Sequence, residues 1–113
     1  MIVILTGLPK ISLNEWYAGT NWRKRKKIKD VYYWAVKSQF NRKFPRDKRY
    51  RASYSFEFAS HPLDASNCVA MLKMIEDTIF ETDGFKVVKE LKITSRKGKI
   101  DKIIIDIEEI IYA

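Results

Sequence analysis

The stretch "YRASYSFEFASHPLDASNCVAMLKMIEDTIF", Tyr50 to Phe80, changes its hydrophobic period partway along, and the fold follows from that change. Tyr50, Ala52, Tyr54, Phe56 and Phe58 alternate with Arg51, Ser53, Ser55 and Glu57. Period two marks a strand with one buried face. After Asn67 the period becomes helical and runs to about Phe80. Met71, Leu72, Ile75, Thr78 and Ile79 define the buried side. Ala70, Lys73 and Asp77 fall on the opposite side, at i, i+3 and i+7. Ser66 or Asn67 is placed to cap this helix.

Working outward, "MIVILTGL" reads as a strand, and its consecutive Ile2, Val3, Ile4 and Leu5 suggest burial on both faces. "GLPKISLNEWYAGTN" reads as a loop punctuated by Gly7, Pro9, Gly19 and Asn21. A helix is expected from Thr20 or Asn21 to about Phe40. Trp22, Ile28, Val31, Tyr32, Ala35 and Val36 recur along it at helical spacing, and Trp22 is assigned to packing. On the far side, Phe85 to Thr94 and Ile100 to Ile111 read as strands joined by the turn "SRKGK". The order β-α-β-α-β-β predicts one α/β (α+β) domain over 1–113, a small mixed sheet carrying two main helices.

Charge divides the chain in two. The net charge of +8 combines 14 basic and 3 acidic residues in 1–53 with 8 basic and 11 acidic residues in 54–113. A basic surface for a polyanion beside an acidic region is the reading this supports over a merely solvated helix. The "RKRKKIK" run, Arg23, Lys24, Arg25, Lys26, Lys27 and Lys29, surrounds the start of its helix. The helix dipole disfavours cations there by about 0.3–1 kcal/mol each, whereas a phosphate backbone would reward them. No run of eighteen apolar residues exists, so no membrane span is expected. An amphipathic membrane anchor fits poorly, because the cations leave no continuous apolar face to spare. One cysteine and one histidine make disulfides and structural zinc improbable and suit a reducing cytoplasm.

Against this basic background stand Asp64 in a connection, Lys73 and Asp77 on one helix face, and Asp83 before Gly84. Taken singly they are an Asx turn, a surface pair worth at most about 0.2–0.5 kcal/mol, and a turn residue. Taken together they suit metal-assisted phosphodiester cleavage. Carboxylates from separate elements hold Mg²⁺ against phosphate oxygens, and a lysine supports the developing charge. Cys68 reads as packing, and His61 as a loop residue near Asp64. Trp16 and Tyr17 stay open between base stacking and packing.

Three segments carry a resemblance: "LPKISLNEWYAGTNWRKRKKIK", "LDASNCVAMLKMIEDTIFETDGFKVV" and "TSRKGKIDKIIIDIEE". They resemble the RusA-like Holliday-junction resolvases, particularly the short phage and prophage type, over nearly the whole chain. The resemblance implies a small homodimer in the bacterial cytoplasm that cuts branched double-stranded DNA with Mg²⁺, Mn²⁺ being a substitute. By position it implies Asp64, Asn67, Asp77 and Asp83 as metal-site residues, with Lys73 catalytic beside Asp64, Asp77 and Asp83. Arg23 to Lys27 and Lys29 would then bind the junction. The chain departs from the family pattern at Ser66, where better-studied members carry a second aspartate, and at Asp83, where an Asp-Asp pair is common. A non-catalytic basic DNA-binding protein, or a weakly active degenerate resolvase, is the alternative.

Overall fold

The computed structural model describes residues 1–18, 21–82 and 84–111. In chain order the elements are β1 (Ile2–Thr6), α1 (Leu13–Ala18), α2 (Trp22–Gln39), β2 (Tyr50–Phe58), a 3₁₀ turn (Ala65–Cys68), α3 (Val69–Ile79), β3 (Val88–Lys97) and β4 (Lys102–Glu109). The four strands form one mixed sheet in the order β1-β4-β2-β3. β4 lies antiparallel to both β1 and β2, and β3 lies parallel to β2. The fold is therefore α+β, as expected, with a third, shorter helix added.

β2 matches its alternation in full and lies between β4 and β3, with its five apolar side chains all on the helix-covered face. Val3 and Leu5 from β1 and Ile103, Ile105 and Ile107 from β4 join them in the core. α2 contributes Tyr32 and Val36 to that core, and α3 contributes Met71, Leu72, Met74, Ile75 and Ile79. The other sheet face carries Ile2, Ile4, Ser53, Ser55, Ile104 and Asp106, all exposed or half-buried. The expectation that β1 is buried on both faces is thus corrected: Ile2 and Ile4 remain 57% and 55% exposed. β1 is an edge strand of a sheet with one helix-covered side.

Four further expectations change. The presumed loop before α2 contains α1. Its start is a capping box, with the Glu15 amide donating to Ser12 Oγ at 3.0 Å and the Ser12 amide donating to Glu15 Oε1 at 3.3 Å. Trp22 does not pack in the core; it is 70% exposed and stacks beneath the Arg23 guanidinium. Neither Ser66 nor Asn67 caps α3. Both lie within the 3₁₀ turn, which leads straight into the helix with Cys68 at its N-cap. β3 begins at Val88 and runs to Lys97, later at both ends than Phe85 to Thr94, because it pairs with β2 up to Phe58↔Lys97. The cap of α2 is Asn21, whose Oδ1 accepts from the Lys24 amide at 3.0 Å, while Thr20 lies outside the described residues.

Past α2 the chain is fastened to the end of α3. The Phe44 amide donates to Ile79 O at 2.8 Å, and the Glu81 amide donates to Phe44 O at 3.0 Å. Around this contact Phe40, Phe44, Tyr50 and Phe80 pack ring against ring, with centroids 5.2–5.6 Å apart. Gly7, at φ 73°, turns the chain out of β1 in a conformation that disfavours any side chain. No helix among the described residues is long and apolar enough to cross a membrane.

Candidate nucleic-acid interface

α3 is amphipathic in three directions. One side enters the core. A second, at Ala70, is buried in the helical layer, since Ala70 is only 4% exposed. The third presents Lys73 and Asp77, both exposed. The sequence places Ala70 on the side of Lys73 and Asp77, its small size leaving space beneath them; it does line a cleft with them, together with α1, but is itself buried. The cleft has a volume of about 230 Å³ and is walled by Trp16 and Tyr17 of α1, Lys29 of α2, and Lys73 and Asp77 of α3. Two cations, two aromatic rings and one carboxylate therefore share a single recess.

α1 is held in place by Arg25. Its Nε donates to Trp16 O at 3.1 Å, and its guanidinium lies 5.6 Å and 5.8 Å from the Trp16 and Tyr17 ring centroids. Arg25 is only half-exposed, unlike Arg23, Lys24, Lys26, Lys27 and Lys29, which are all exposed. The run expected to bind DNA thus splits. Arg25 braces the cleft wall, and the other cations are available to a ligand. This arrangement also answers the question left open for Trp16: it is half-buried against the core, while Tyr17 stays 69% exposed at the rim.

The carboxylates are less gathered than the sequence suggested. Asp64 is exposed at the head of the 3₁₀ turn, where its carbonyl accepts from the Asn67 amide at 2.8 Å. It does not line the Lys73–Asp77 cleft. Val69 and Asp77 stand about 12 Å apart along the helix axis, and Asp64 precedes Val69 by a further turn. Asp83 lies outside the described residues. Among the described residues no group of three or more His, Cys, Asp or Glu side chains could hold a metal ion. Of the carboxylates expected at the site, the two described ones, Asp64 and Asp77, therefore stand at separate places and do not form a closed ligand set for Mg²⁺.

Of the other residues singled out near this region, the Cys68 side chain has a structural role and the His61 side chain is exposed. Cys68 is fully buried, and burial pushes its thiol above the usual range, reinforced by the Asp64 charge and opposed by the Ser95 hydroxyl. A thiol held protonated in this way suits packing and not nucleophilic chemistry. His61 is exposed, and its carbonyl accepts from Lys10 Nζ. Glu76 was not singled out in the sequence. It is nearly buried on the flank of α3 that faces β3, where it lines a second cleft with Lys73 and Glu90. Lys73 therefore stands on the ridge between two clefts.

Comparison of the chain with protein-family models, with curated proteins and with solved structures finds no match in any of the three.

Proposed function

We propose that the chain binds branched double-stranded DNA through the α1–α2–α3 side of the molecule and acts on it as a Mg²⁺-dependent endonuclease, working as a homodimer. The observation that carries the DNA-binding part is the cleft itself. Lys29 and Lys73 line one recess together with Trp16, Tyr17 and Asp77, and four more exposed cations stand at the start of α2. Phosphate contacts of this kind supply affinity and position a duplex without reading its sequence. The resemblance to RusA-like resolvases supplies the cleavage part and the choice of a branched substrate. A two-fold dimer would set two equivalent sites on opposed strands of a four-way junction. In a bacterial cell the activity belongs to the cytoplasm.

No step is assigned to the metal, because the described carboxylates do not form its ligand set. Within the cleft, Lys73 is the group positioned to neutralise a phosphate, and Asp77 the carboxylate beside it. The same separation of Asp64 from Asp77 favours a second reading, a non-catalytic DNA-binding protein. Incubating a labelled synthetic four-way junction with the protein, in Mg²⁺ and in EDTA, separates the two. Paired nicks in Mg²⁺ alone, lost in Asp64→Asn and Asp77→Asn while binding persists, support the endonuclease. Salt-sensitive binding with no cleavage in Mg²⁺ or Mn²⁺ leaves the binding protein. Absence of DNA binding at low salt removes both.

A further inference from the structure

The cleft at Lys73 and Asp77 is not isolated. A neighbouring recess shares Lys29, Met74 and Asp77 with it and adds Asp30, Tyr33 and Thr78, so the middle of the seam carries two carboxylates beside Lys29. Tyr33 and Thr78 in turn border a third recess of about 250 Å³ at the C-terminal end of α2. The three form one continuous trough along the α2–α3 seam. The far recess is lined by Tyr33, Lys37, Phe40, Asn41, Arg42 and Lys43, with no carboxylate among its lining residues.

We propose that this far recess is a second phosphate-binding site, which holds the backbone of the DNA strand leaving the Lys73–Asp77 cleft. The inference rests on the DNA-binding reading above and extends it to Lys37, Arg42 and Lys43. Three features support it. First, the recess is preorganised. Phe44 is fixed by backbone hydrogen bonds to Ile79 and Glu81, which anchors the segment that carries Arg42 and Lys43. Second, Lys37 Nζ donates to the Tyr33 hydroxyl at 2.9 Å. That bond, with the charges of Lys37 and Lys43, draws the Tyr33 hydroxyl below its usual pKa. The local field therefore favours negative charge at the place a phosphate would occupy. Third, the spacing suits a nucleic-acid strand. Lys29 and Lys37 are two helical turns apart, about 12 Å along the axis. At about 3.4 Å of rise per nucleotide, that is three to four phosphates along one strand.

Local helix electrostatics account for part of this cluster, since Lys37 sits in the last turn of α2 where a cation is favoured. They do not account for Arg42 and Lys43, which lie past the helix end on the same recess.

The test is fluorescence anisotropy on a labelled four-way junction over a range of salt concentrations. The parent is compared with Lys37→Ala/Arg42→Ala/Lys43→Ala and with a charge-matched control, Lys86→Ala/Lys97→Ala/Lys99→Ala, around β3. Each phosphate contact adds about 0.9 to the slope of log affinity against log salt, so loss of the site lowers that slope by about two to three. The expected result is at least a tenfold loss of affinity for the recess variant at moderate salt and under threefold for the control. The double variant Arg42→Glu/Lys43→Glu leaves half-buried Lys37 and its Tyr33 contact intact and shows the same ordering. Equal losses in recess and control variants, or an unchanged salt slope, overturn the second site while leaving DNA binding standing. A parent that shows no salt-dependent binding overturns the DNA-binding reading and this site with it.

Discussion

Arg25 lies inside the basic run, yet its contacts predict behaviour opposite to that of its neighbours. Its Nε bond to Trp16 O is a charge-assisted bond to a carbonyl, worth about 1–1.5 kcal/mol net. The two ring contacts add about 0.5 kcal/mol each at a half-exposed site. Ordering a long side chain costs up to about 1–2 kcal/mol in return. The net loss expected for Arg25→Ala is therefore about 0–1.5 kcal/mol. Lys26→Ala and Lys27→Ala, on exposed side chains, should stay within about 0.5 kcal/mol of the parent. Arg25→Lys keeps the charge but loses the planar group that spans the two rings, and should fall nearer Arg25→Ala. Urea unfolding followed by tryptophan fluorescence measures each value. In DNA binding the order reverses: Lys26→Ala and Lys27→Ala lower the salt slope, whereas Arg25→Lys preserves it. If Arg25→Ala is as stable as the parent and loses affinity no differently from Lys26→Ala, then Arg25 is one more phosphate contact and does not brace α1.

In Asp77→Asn, removing the negative charge of the Lys73 cleft should tighten junction binding a few-fold at low salt, while Lys73→Ala weakens it; anisotropy reads both. Tyr32 is fully buried, its hydroxyl donates to Pro9 O, and burial raises its pKa, so the folded state keeps a proton that the unfolded state releases near pH 10. Stability is then fully present below pH 10 and falls as pH rises above it; Tyr32→Phe should flatten that alkaline limb and cost about 1 kcal/mol at neutral pH, measured by urea midpoints at several pH values. Glu57 behaves oppositely, because the Arg96 hydrogen bond at 2.6 Å, aided by the Arg96 and Lys102 charges, lowers its pKa. Its contribution is present above its unfolded value of about 4.5 and fades as pH falls through the lower folded value, so Glu57→Gln should weaken the acid dependence in the same assay. Ile75→Ala, at the fully buried centre of α3, should cost about 2–5 kcal/mol in thermal or urea unfolding.

The legible parts of the fold are those where one physical rule acts alone. β2 could be read to the residue because its alternation is unbroken and its apolar face is covered from one side. The buried stripe of α3 was equally plain. α1 escaped notice because Gly and Pro before it read as loop, and six residues carry too little periodicity to announce a helix. The signal was present in "SLNE", Ser12 to Glu15, whose reciprocal hydrogen bonds start the helix. β1 was misjudged because four consecutive apolar residues look alike whether the second face is covered or bare. Only the tertiary arrangement decides it: the helices cover one face of the sheet, and Ile2 and Ile4 lie on the other with Ser53, Ser55, Ile104 and Asp106.

The site was legible by charge and only partly by position. Lys73 and Asp77 meet in one cleft because helical spacing is a local property that a sequence carries within itself. Asp64 belongs to a different element, and its distance from Asp77 depends on how the 3₁₀ turn continues into α3. No spacing rule reports that. The same limit hid Lys37, Arg42 and Lys43, which join the trough only because Phe44 is tied to the end of α3. Charges at the two ends of α2 also differ in what explains them. Lys37, in the last turn, gains from the helix dipole, so its presence alone indicates little. Lys24, Lys26 and Lys27 stand at the opposite end with no acidic residue in that first turn to offset them. On the DNA-binding reading proposed above, a chain that tolerates that local cost at one end of α2 and lines recesses with Lys29 and Lys37 further along it would suit a long polyanion better than a single bound anion. That distinction can be measured: inorganic phosphate at millimolar concentration should compete poorly with junction DNA, whereas a heparin-like polyanion should displace it.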